Sequence, residues 1–431
     1  MITEASAVVS RLEALLGPAF VTTSDTGRWT VDGIVPRAAV WPGDAEQVAA
    51  VLRVCAEAGA AVVPWGSGTA MEVGNPPRAA DVVLLTDRLS AVVDHDAPNL
   101  TVTAQAGIRL ATLDAALASH RQFLPLEPPR ADAATAGGAV AVNLNGPRRL
   151  RYGSARDLII GVRAAQASGE VTKSGGKTVK NVAGYDMGRL YAGSLGTLAV
   201  MTELTFKVLP LPETSETVAV WASDANRLAA LARRISDSSL VPSAVVFINP
   251  AAQWFGRDKA GLLVRAEGVE PAVARHRRDV NGWSAEAGLE SEVLTGDAEA
   301  ACWRHIRDFG WTGEAVAVRL TMPPGQAWST IEHLGMSLPA ATRVMADPGT
   351  GTVWLGFADA GAAAQTLPAL DAIAAGAGGH RLIARAPLAM KDAGDVWAPP
   401  PAARALEIMR GLKQAFDPHH ILSPGRFVAG L

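Results

Sequence analysis

Residues 64–70 read Pro64-Trp65-Gly66-Ser67-Gly68-Thr69-Ala70 and follow an apolar run, 61–64, that is predicted to be a strand. Two glycines let the backbone come close to a ligand and turn its N–H groups toward an anion. Ser67 and Thr69 add hydroxyl donors for phosphate oxygens. A Rossmann dinucleotide loop fits poorly, because that pattern needs a third glycine three residues on and a helix opening there. Met71 holds that position, and Gly74, Pro76 and Pro77 prevent a long helix. Taken alone, the loop reads equally well as an ordinary tight turn.

Working outward, 38–40 reads as a strand, and Asp44 with Gln47 three residues on resembles a capping box. Val48, Leu52 and Cys55 follow at helical spacing, and Gly59 is a stop signal. With 61–64 this makes a β-α-β unit. Residues 1–30 read as an amphipathic helix (Val8, Leu12, Leu15, Leu16) and a loop. Downstream, 82–85 and 100–104 are strand-like, and Leu110, Leu113 and Leu117 mark a helix. Residues 158–166 and 170–173 flank Ser168-Gly169 as a hairpin. A long strand, 198–208, ends at Pro210 and Pro212, which mark a boundary.

The pattern then changes. Strand 216–222, helix 224–236, strands 243–249 and 260–266, and helix 270–287 come first. After a helix near 298–309 a similar run follows: strand 315–321, helix 326–335, strands 341–346 and 352–358, helix 361–375, strand 380–385. Two rough copies of β-α-β-β-α predict an antiparallel sheet with helices on one face. The tail reads as a helix, 401–416, and a loop, 417–426.

Composition removes several classes of function. The 431 residues suggest two or three domains at roughly 100–200 residues each. Hydrophobic residues make up 49% and charged residues 19%, the balance of a globular chain. The net charge is −3, and the densest basic cluster is only Arg148, Arg149 and Arg151, so no nucleic-acid surface is expected. Cys55 and Cys302 are the only cysteines. They can form neither a disulfide framework nor an iron–sulfur site, which takes about four ligands. The N-terminus lacks a basic then apolar leader, and no apolar run reaches about 18 residues, so neither a signal peptide nor a membrane span is expected. The eight histidines show no metal-ligand spacing.

Two further Gly-rich segments share the first half: Ala136-Gly137-Gly138-Ala139 running to Asn143-Leu144-Asn145-Gly146-Pro147, and Gly193-Ser194-Leu195-Gly196-Thr197-Leu198. Each could be structural. Three together suggest one large ligand carrying a pyrophosphate. Gly175-Gly176-Lys177-Thr178 is no phosphate loop of the Walker type, since Val171 stands where the first glycine is required. Lys177 and Lys180 read as solvated turn residues before they read as ligands. Arg385 and Lys391 lie near the return of the chain to the first half, and Arg385 is a candidate for holding a carboxylate bidentately.

The order of these motifs carries a resemblance. P-x-G-x-G-T, then A-x-A-G-G-x(4)-N, then Tyr152-Gly153-x(3)-Asp157, then Asn181-x-x-Gly184-Tyr185-Asp186, then Gly193-Ser194-x-Gly196-Thr197-Leu198-x-Val200-x-Thr202-Glu203 resembles the PCMH-type FAD domain of the vanillyl-alcohol-oxidase superfamily. The ending Phe416-Asp417-Pro418-x-x-Ile421-Leu422-Ser423-Pro424-Gly425-Arg426 is similar to the C-terminal signature of those FAD-linked oxidases. Within the superfamily, residues 176–186 and Asp395-Val396-Trp397-Ala398-Pro399-Pro400 resemble the FAD-binding second subunits of bacterial glycolate oxidases.

The resemblance implies an α+β fold: an N-terminal helix and loop (1–30), a two-subdomain PCMH-type FAD-binding domain (31–212), an antiparallel-sheet cap (213–390) and a return segment (391–431) packing on the FAD domain. It implies that Pro64, Gly66, Ser67, Gly68, Thr69 and Ala70 wrap the FAD pyrophosphate. Thr135, Gly137, Gly138 and Asn143 would line the other side, and Val200 would meet the adenine or ribose end. FAD is expected to be non-covalent, since covalent relatives attach it through His or Cys and the loop has neither. The implied activity is oxidation of a small 2-hydroxy acid in a complex with a larger FAD subunit and an iron–sulfur subunit. The expected setting is cytoplasmic, with the partners as the route to the inner membrane. A self-sufficient 2-hydroxy-acid dehydrogenase and an FAD-carrying structural subunit remain as alternatives. Larger relatives have Glu where this chain has Leu195, often end in N-P-G-R where it has Ser423, and carry an H-x-G-D-G-N-type motif. Asp347-Pro348-Gly349-Thr350-Gly351 occupies a similar place here without a His. No catalytic base is identified from sequence, and slow turnover by the chain alone is expected.

Overall fold

The computed structural model describes residues 2–177, 184–249, 255–338 and 342–431. Helix α1 (Ile2–Leu16) buries Val8, Leu12 and Leu16 against α2 (Ala45–Ala58) and leaves Leu15 exposed. The Asp44 side chain caps α2 by accepting from the Gln47 N–H at 2.7 Å. The reciprocal bond lands one residue early: Gln47 Oε1 accepts from the Gly43 N–H, also at 2.7 Å. Gly59, at φ 62°, turns the chain out of the helix. Val48, Leu52 and Cys55 are fully buried.

Strands β1 (Val21–Thr22), β2 (Ala38–Val40), β3 (Val62–Trp65) and β4 (Val82–Leu85) form a sheet in the order β1-β2-β4-β3, parallel across its last three strands. A second, antiparallel sheet holds β5 (Val92–Asp96), β6 (Thr101–Gln105), β8 (Ile159–Ala165), β9 (Val171–Gly175) and β10 (Val200–Lys207), in the order β5-β6-β10-β8-β9. Two-residue β7 (Gln122–Phe123) pairs with β11 (Leu209–Pro210). β5 escapes sequence reading because Val92-Val93-Asp94-His95-Asp96 is a charged edge strand without a clean apolar face.

The third sheet has nine strands: β12 (Thr214–Ala222), β13 (Ala244–Asn249), β14 (Ala260–Gly268), β15 (Glu290–Leu294), β16 (Val316–Thr321), β17 (Arg343–Asp347), β18 (Thr352–Phe357), β19 (His380–Arg385) and β20 (Trp397–Ala398). Their order, β15-β12-β14-β13-β17-β18-β16-β19-β20, explains the internal repeat. Each copy is β-α-β-β-α-β, and the copies join antiparallel through their second strands, β13 and β17. Only the edge strand β20 has no counterpart. The charged edge strand β15 is absent from the sequence pattern, like β5.

One expectation needs correction. Helices cover both faces of this sheet, not one. Ser215 and Thr217 donate to Glu299 Oε1 at 2.7 and 2.9 Å, so helix Gly296–Arg307 lies on their face of β12. Glu216, which points the other way, accepts from Arg277 of helix Glu270–Glu286 at 2.6 Å. A buried carboxylate such as Glu299 must be satisfied. The hydroxyl pair, with Arg265 at 3.2 Å, supplies what an apolar helix face would not need.

The tail is held by buried charge. Helix Ala403–Phe416 brings in Lys413, whose ammonium donates to Asp417 Oδ2 (2.7 Å), Thr197 O (2.8 Å) and Leu422 O (2.9 Å). All three of its donors are used. Asp417 also accepts from the N–H groups of Ile421 (3.0 Å) and Leu422 (2.8 Å). The turn so fixed adds to the edge of β3: Val62 N donates to Ile421 O at 2.7 Å, and Ser423 N to Val62 O at 2.9 Å. Asp417→Ala should lower stability by about 3–5 kcal/mol, because it leaves a buried ammonium without its counter-charge. Urea unfolding of the variant beside the wild type measures this; an unchanged midpoint would show that the pair does not hold the tail.

Candidate functional site

The edge of β3 leads into a cleft that is open at its mouth. Pro64, Gly66, Ser67, Gly68, Thr69 and Ala70 line one wall. Gly68 has φ +76°, and a Cβ there would lie 2.7 Å from the Trp65 ring. A Cβ on Gly66 would lie 2.2 Å from Thr135 Oγ1. The loop therefore tolerates no side chain at either glycine without moving its neighbours.

Thr135 starts the opposite wall. Its hydroxyl caps helix α4 (Ala136–Val142) by accepting from the Gly138 N–H at 3.3 Å. The helix can press against Ala106 because Gly137 has no Cβ; one would meet the Ala106 Cβ at 2.8 Å. Thr135, Gly137 and Gly138 all line the cleft, and Val200, opening β10, closes another side. Asn143 alone among the sequence candidates is not brought to the lining. It ends α4 in the left-handed conformation, φ 53°, and its side-chain oxygen accepts from Asn145 at 2.9 Å. A small polar side chain tolerates that conformation, and this explains the residue without a ligand.

The tail supplies lining that motif reading left unassigned. Arg426 is buried and lines the cleft, donating to Met71 O at 2.8 Å and Val73 O at 2.6 Å. Burial pulls its pKa down, and Asp32 beside it acts in the opposite direction. Asp32 also receives Lys391 at 2.6 Å, and Lys391 donates to Glu72 O at 3.0 Å. Residues 71–73 are thus pinned by two cations from the end of the chain. Leu195 and Ser423, both departures from the family pattern, line the same cleft. The hydroxyls of Ser67 and Ser423 are buried without a hydrogen-bond partner. Two orphaned hydroxyls and a loop closed to side chains fit a ligand that brings its own acceptors, as a diphosphate does.

The other charged candidates already have partners. Lys177 pairs with Asp94, Arg385 with Glu72 at 3.3 Å, and Lys391 with Asp32. Lys180 and Asn181 lie outside the described residues. Among the described residues no cluster of His, Cys, Asp and Glu could hold a metal ion.

A second, small cavity lies between the segment that follows α4 and the nine-stranded sheet. Arg149 of helix α5 (Arg149–Tyr152), Asp347 at the end of β17, Thr350, Thr352 and Trp354 line it. Asp347 is buried, and neither of its carboxylate oxygens has a hydrogen-bond partner. Burial pushes its pKa up to about 7, against opposing effects from Thr350 and Arg149. The sequence marks this Pro-Gly turn only by its place before a strand, without a His.

Comparison with known proteins assigns the class. Residues 36–175 match the FAD binding domain family, and residues 402–427 match the C-terminal domain of FAD linked oxidases. The chain is 31% identical over 378 residues to glycolate oxidase subunit GlcE of Escherichia coli K12, covering 86% of this chain and 93% of that one. It is 30% identical over 346 residues to glycolate oxidase subunit GlcD of Bacillus subtilis 168, covering 78% and 70%. Its fold matches p-cresol methylhydroxylase with a TM-score of 0.74, at 16% identity over 99% of this chain and 97% of that one. The chain belongs to the FAD-linked oxidase family. It is an FAD-dependent oxidoreductase.

The Asp347 carboxyl yields a pH prediction. In the unfolded chain it titrates near 3.8, and in the fold near 7. The folded state therefore holds the proton more tightly, and this contribution to stability is present below about pH 4 and lost as pH rises through about 7. Asp347→Asn should raise the melting temperature at pH 8 and have little effect at pH 4. A shift of the same size at both values would contradict the assignment.

Proposed function

We propose that this chain is the FAD-binding subunit of a glycolate oxidase-like complex, which oxidises a small 2-hydroxy acid to the 2-oxo acid. The observation that carries the reading is similarity along 93% of a glycolate oxidase subunit, combined with a cleft whose lining suits a diphosphate. In this reading Gly66, Ser67, Gly68 and Thr69 surround the pyrophosphate of FAD, with Pro64 and Ala70 at the ends of the loop. Thr135, Gly137 and Gly138 hold the facing side, and Val200 meets the adenosine end. Bound FAD supplies the two-electron acceptor; the chain's residues hold it, orient it and exclude water.

Attachment is non-covalent in this reading. No His or Cys lines the cleft. Cys55 and Cys302 are buried, and burial pushes both thiols up to about 12, so neither is a nucleophile at neutral pH. Two buried thiols cannot carry a cluster, so electrons leave through partners: a larger FAD subunit and an iron–sulfur subunit. Among the described residues no helix is long and apolar enough to cross a membrane. A cytoplasmic setting, with any contact at the inner membrane made by the partners, completes the proposal.

Two experiments test it. Gly68→Asp adds a Cβ against Trp65 and a negative charge facing the phosphates. The variant should fold yet purify colourless, and a normal FAD-to-protein ratio would remove residues 64–70 from the pyrophosphate site. Gentle purification of the native protein should give a species well above the 44.7 kDa of this chain, containing iron, whose flavin bleaches anaerobically with glycolate or D-lactate. A lone iron-free species of that mass, or flavin indifferent to every 2-hydroxy acid, would overturn the reading.

A further inference from the structure

Two carboxylates beside the FAD cleft each face two cations. Asp32 receives Lys391 at 2.6 Å and Arg426 at 3.5 Å. Glu72 receives Arg130 at 3.4 Å and Arg385 at 3.3 Å. The four cations come from three separate stretches of the chain, yet all bear on residues 69–73. Arg130 donates to Thr69 O at 3.3 Å, Lys391 to Glu72 O at 3.0 Å, and Arg426 to Met71 O and Val73 O. Arg385 also donates to Glu314 O at 2.9 Å, a contact that brings no charge. Asp308 accepts the Arg130 N–H at 2.7 Å but has its own cation in Arg307, at 2.9 Å. Within this group four cations meet two carboxylates, so positive charge is in excess. Thr69, Met71 and Val73 line the cleft, which puts that excess against its wall.

The two triads differ in exposure. The side chains of Lys391, Asp32 and Arg426 are 1%, 11% and 3% exposed, and those of Arg130, Glu72 and Arg385 are 36%, 41% and 29% exposed. Dissolved salt therefore screens the second triad far more than the first. Packing shows which end of the cleft they border. Val73 belongs to the apolar core of the nine-stranded sheet, and Ala70, Val142 and Leu195 pack against that core. Val63, Ala106 and Val200, which also line the cleft, belong to cores of the flavin-binding half. A Cβ on Gly74 would lie 2.8 Å from Arg426 O and 2.9 Å from the Leu195 side chain, so residue 426 stands at the end nearer the nine-stranded sheet. Among the described residues that line the cleft, Arg426 is the only charged one.

We propose that this excess of positive charge, with Arg426 in the cleft wall, raises the reduction potential of the bound flavin. The inference rests on the FAD reading above. There residues 66–69 take the pyrophosphate and Val200 the adenosine, which leaves the end beside Arg426 to the flavin ring. Oxidation of the hydroxy acid breaks its Cα–H and O–H bonds. The hydride carries two electrons and one proton to the ring, which gains one negative charge, and the hydroxyl proton passes to water. Positive charge held at the ring's end of the cleft stabilises that charged product more than the neutral oxidised ring. A unit charge about 12 Å away, acting through an effective dielectric of about 20, shifts an equilibrium by about tenfold. The carbonyls of residues 69–73 fix the cations in place, so the field is there before the electrons arrive.

FAD-loaded holoprotein, titrated anaerobically with dithionite against a reference dye, gives the flavin midpoint potential with no hydroxy acid present. Arg426→Met should lower it by about 30 mV or more, which is a tenfold shift of a two-electron equilibrium. Arg426→Lys keeps the charge and should recover most of that loss. Should Arg426→Met fail to hold its cofactor, the exposed triad carries the test. Arg385→Met should lower the potential and Glu72→Gln should raise it, each by about threefold in the same equilibrium. Both shifts should shrink at about 1 M salt, where the screening length is about 3 Å. Opposite signs from two residues of one ion pair mark an effect of charge, since a loosened loop would move both variants the same way. If Arg385→Met and Glu72→Gln keep the wild-type potential, or shift it in one direction, this inference falls and the FAD reading stands. A wild type that purifies without FAD and takes up none when it is added would overturn both.

Discussion

The Lys413–Asp417 pair, sealed from solvent at 2.7 Å, is the constraint on which the first cleft depends. Without a fixed turn at Asp417 the end of the chain would not run beside β3. That strand would then expose an edge where Val62 now exchanges bonds with Ile421 and Ser423. Everything after the turn follows from it. Ser423 and Arg426 enter the lining, and Arg426 ties residues 71–73 through two carbonyls. The exit of the Gly66–Thr69 loop is therefore held by residues some 350 positions later in the chain, as the Arg426–Val73 separation of 353 records. Distant segments that converge on one loop can hold it open for a ligand at the cost of burying charge, and here each buried charge meets a carboxylate or a carbonyl.

The nine-stranded sheet solves a different problem. Two β-α-β-β-α-β copies joined at β13 and β17 carry helices on both faces, and the first copy also meets the flavin-binding half. Where the first copy meets that half, its polar groups are matched: Arg148 reaches Glu267 at 2.5 Å, and Arg265 reaches Glu299 at 3.2 Å. In the second copy Asp347 is buried, and burial raises its pKa against opposing effects from Thr350 and Arg149.

Much of this architecture was legible in the sequence, and the failures have common causes. The β-α-β unit around 38–65 announced itself through a cap, a helical apolar stripe and a glycine stop, all local signals. The internal repeat was legible from its alternation of strand and helix. Strands β5 and β15 were not, because edge strands carry charge and lose the apolar alternation that marks a buried strand. The helix on the second sheet face was misjudged for a related reason: its buried Glu299 resembles a surface residue until Ser215, Thr217 and Arg265 are seen around it. Of the motif residues, those in the loop 64–70 and at the start of α4 line the cleft, where their backbone needs explain them. Asn143 ends α4 instead, since capping a helix and touching a ligand favour the same small polar residue. Asp347 is noted in the sequence only for its place before a strand, since its burial is a property of space and not of sequence.

The central claim is that the cleft between the Gly66–Thr69 loop and α4 holds FAD. A crystal structure of the FAD-loaded protein tests it most directly. The account predicts diphosphate oxygens within hydrogen-bonding distance of the backbone N–H groups of residues 66–69. It also predicts that the Ser67 hydroxyl, now orphaned, is engaged by the cofactor. A cofactor whose diphosphate lies elsewhere would contradict it.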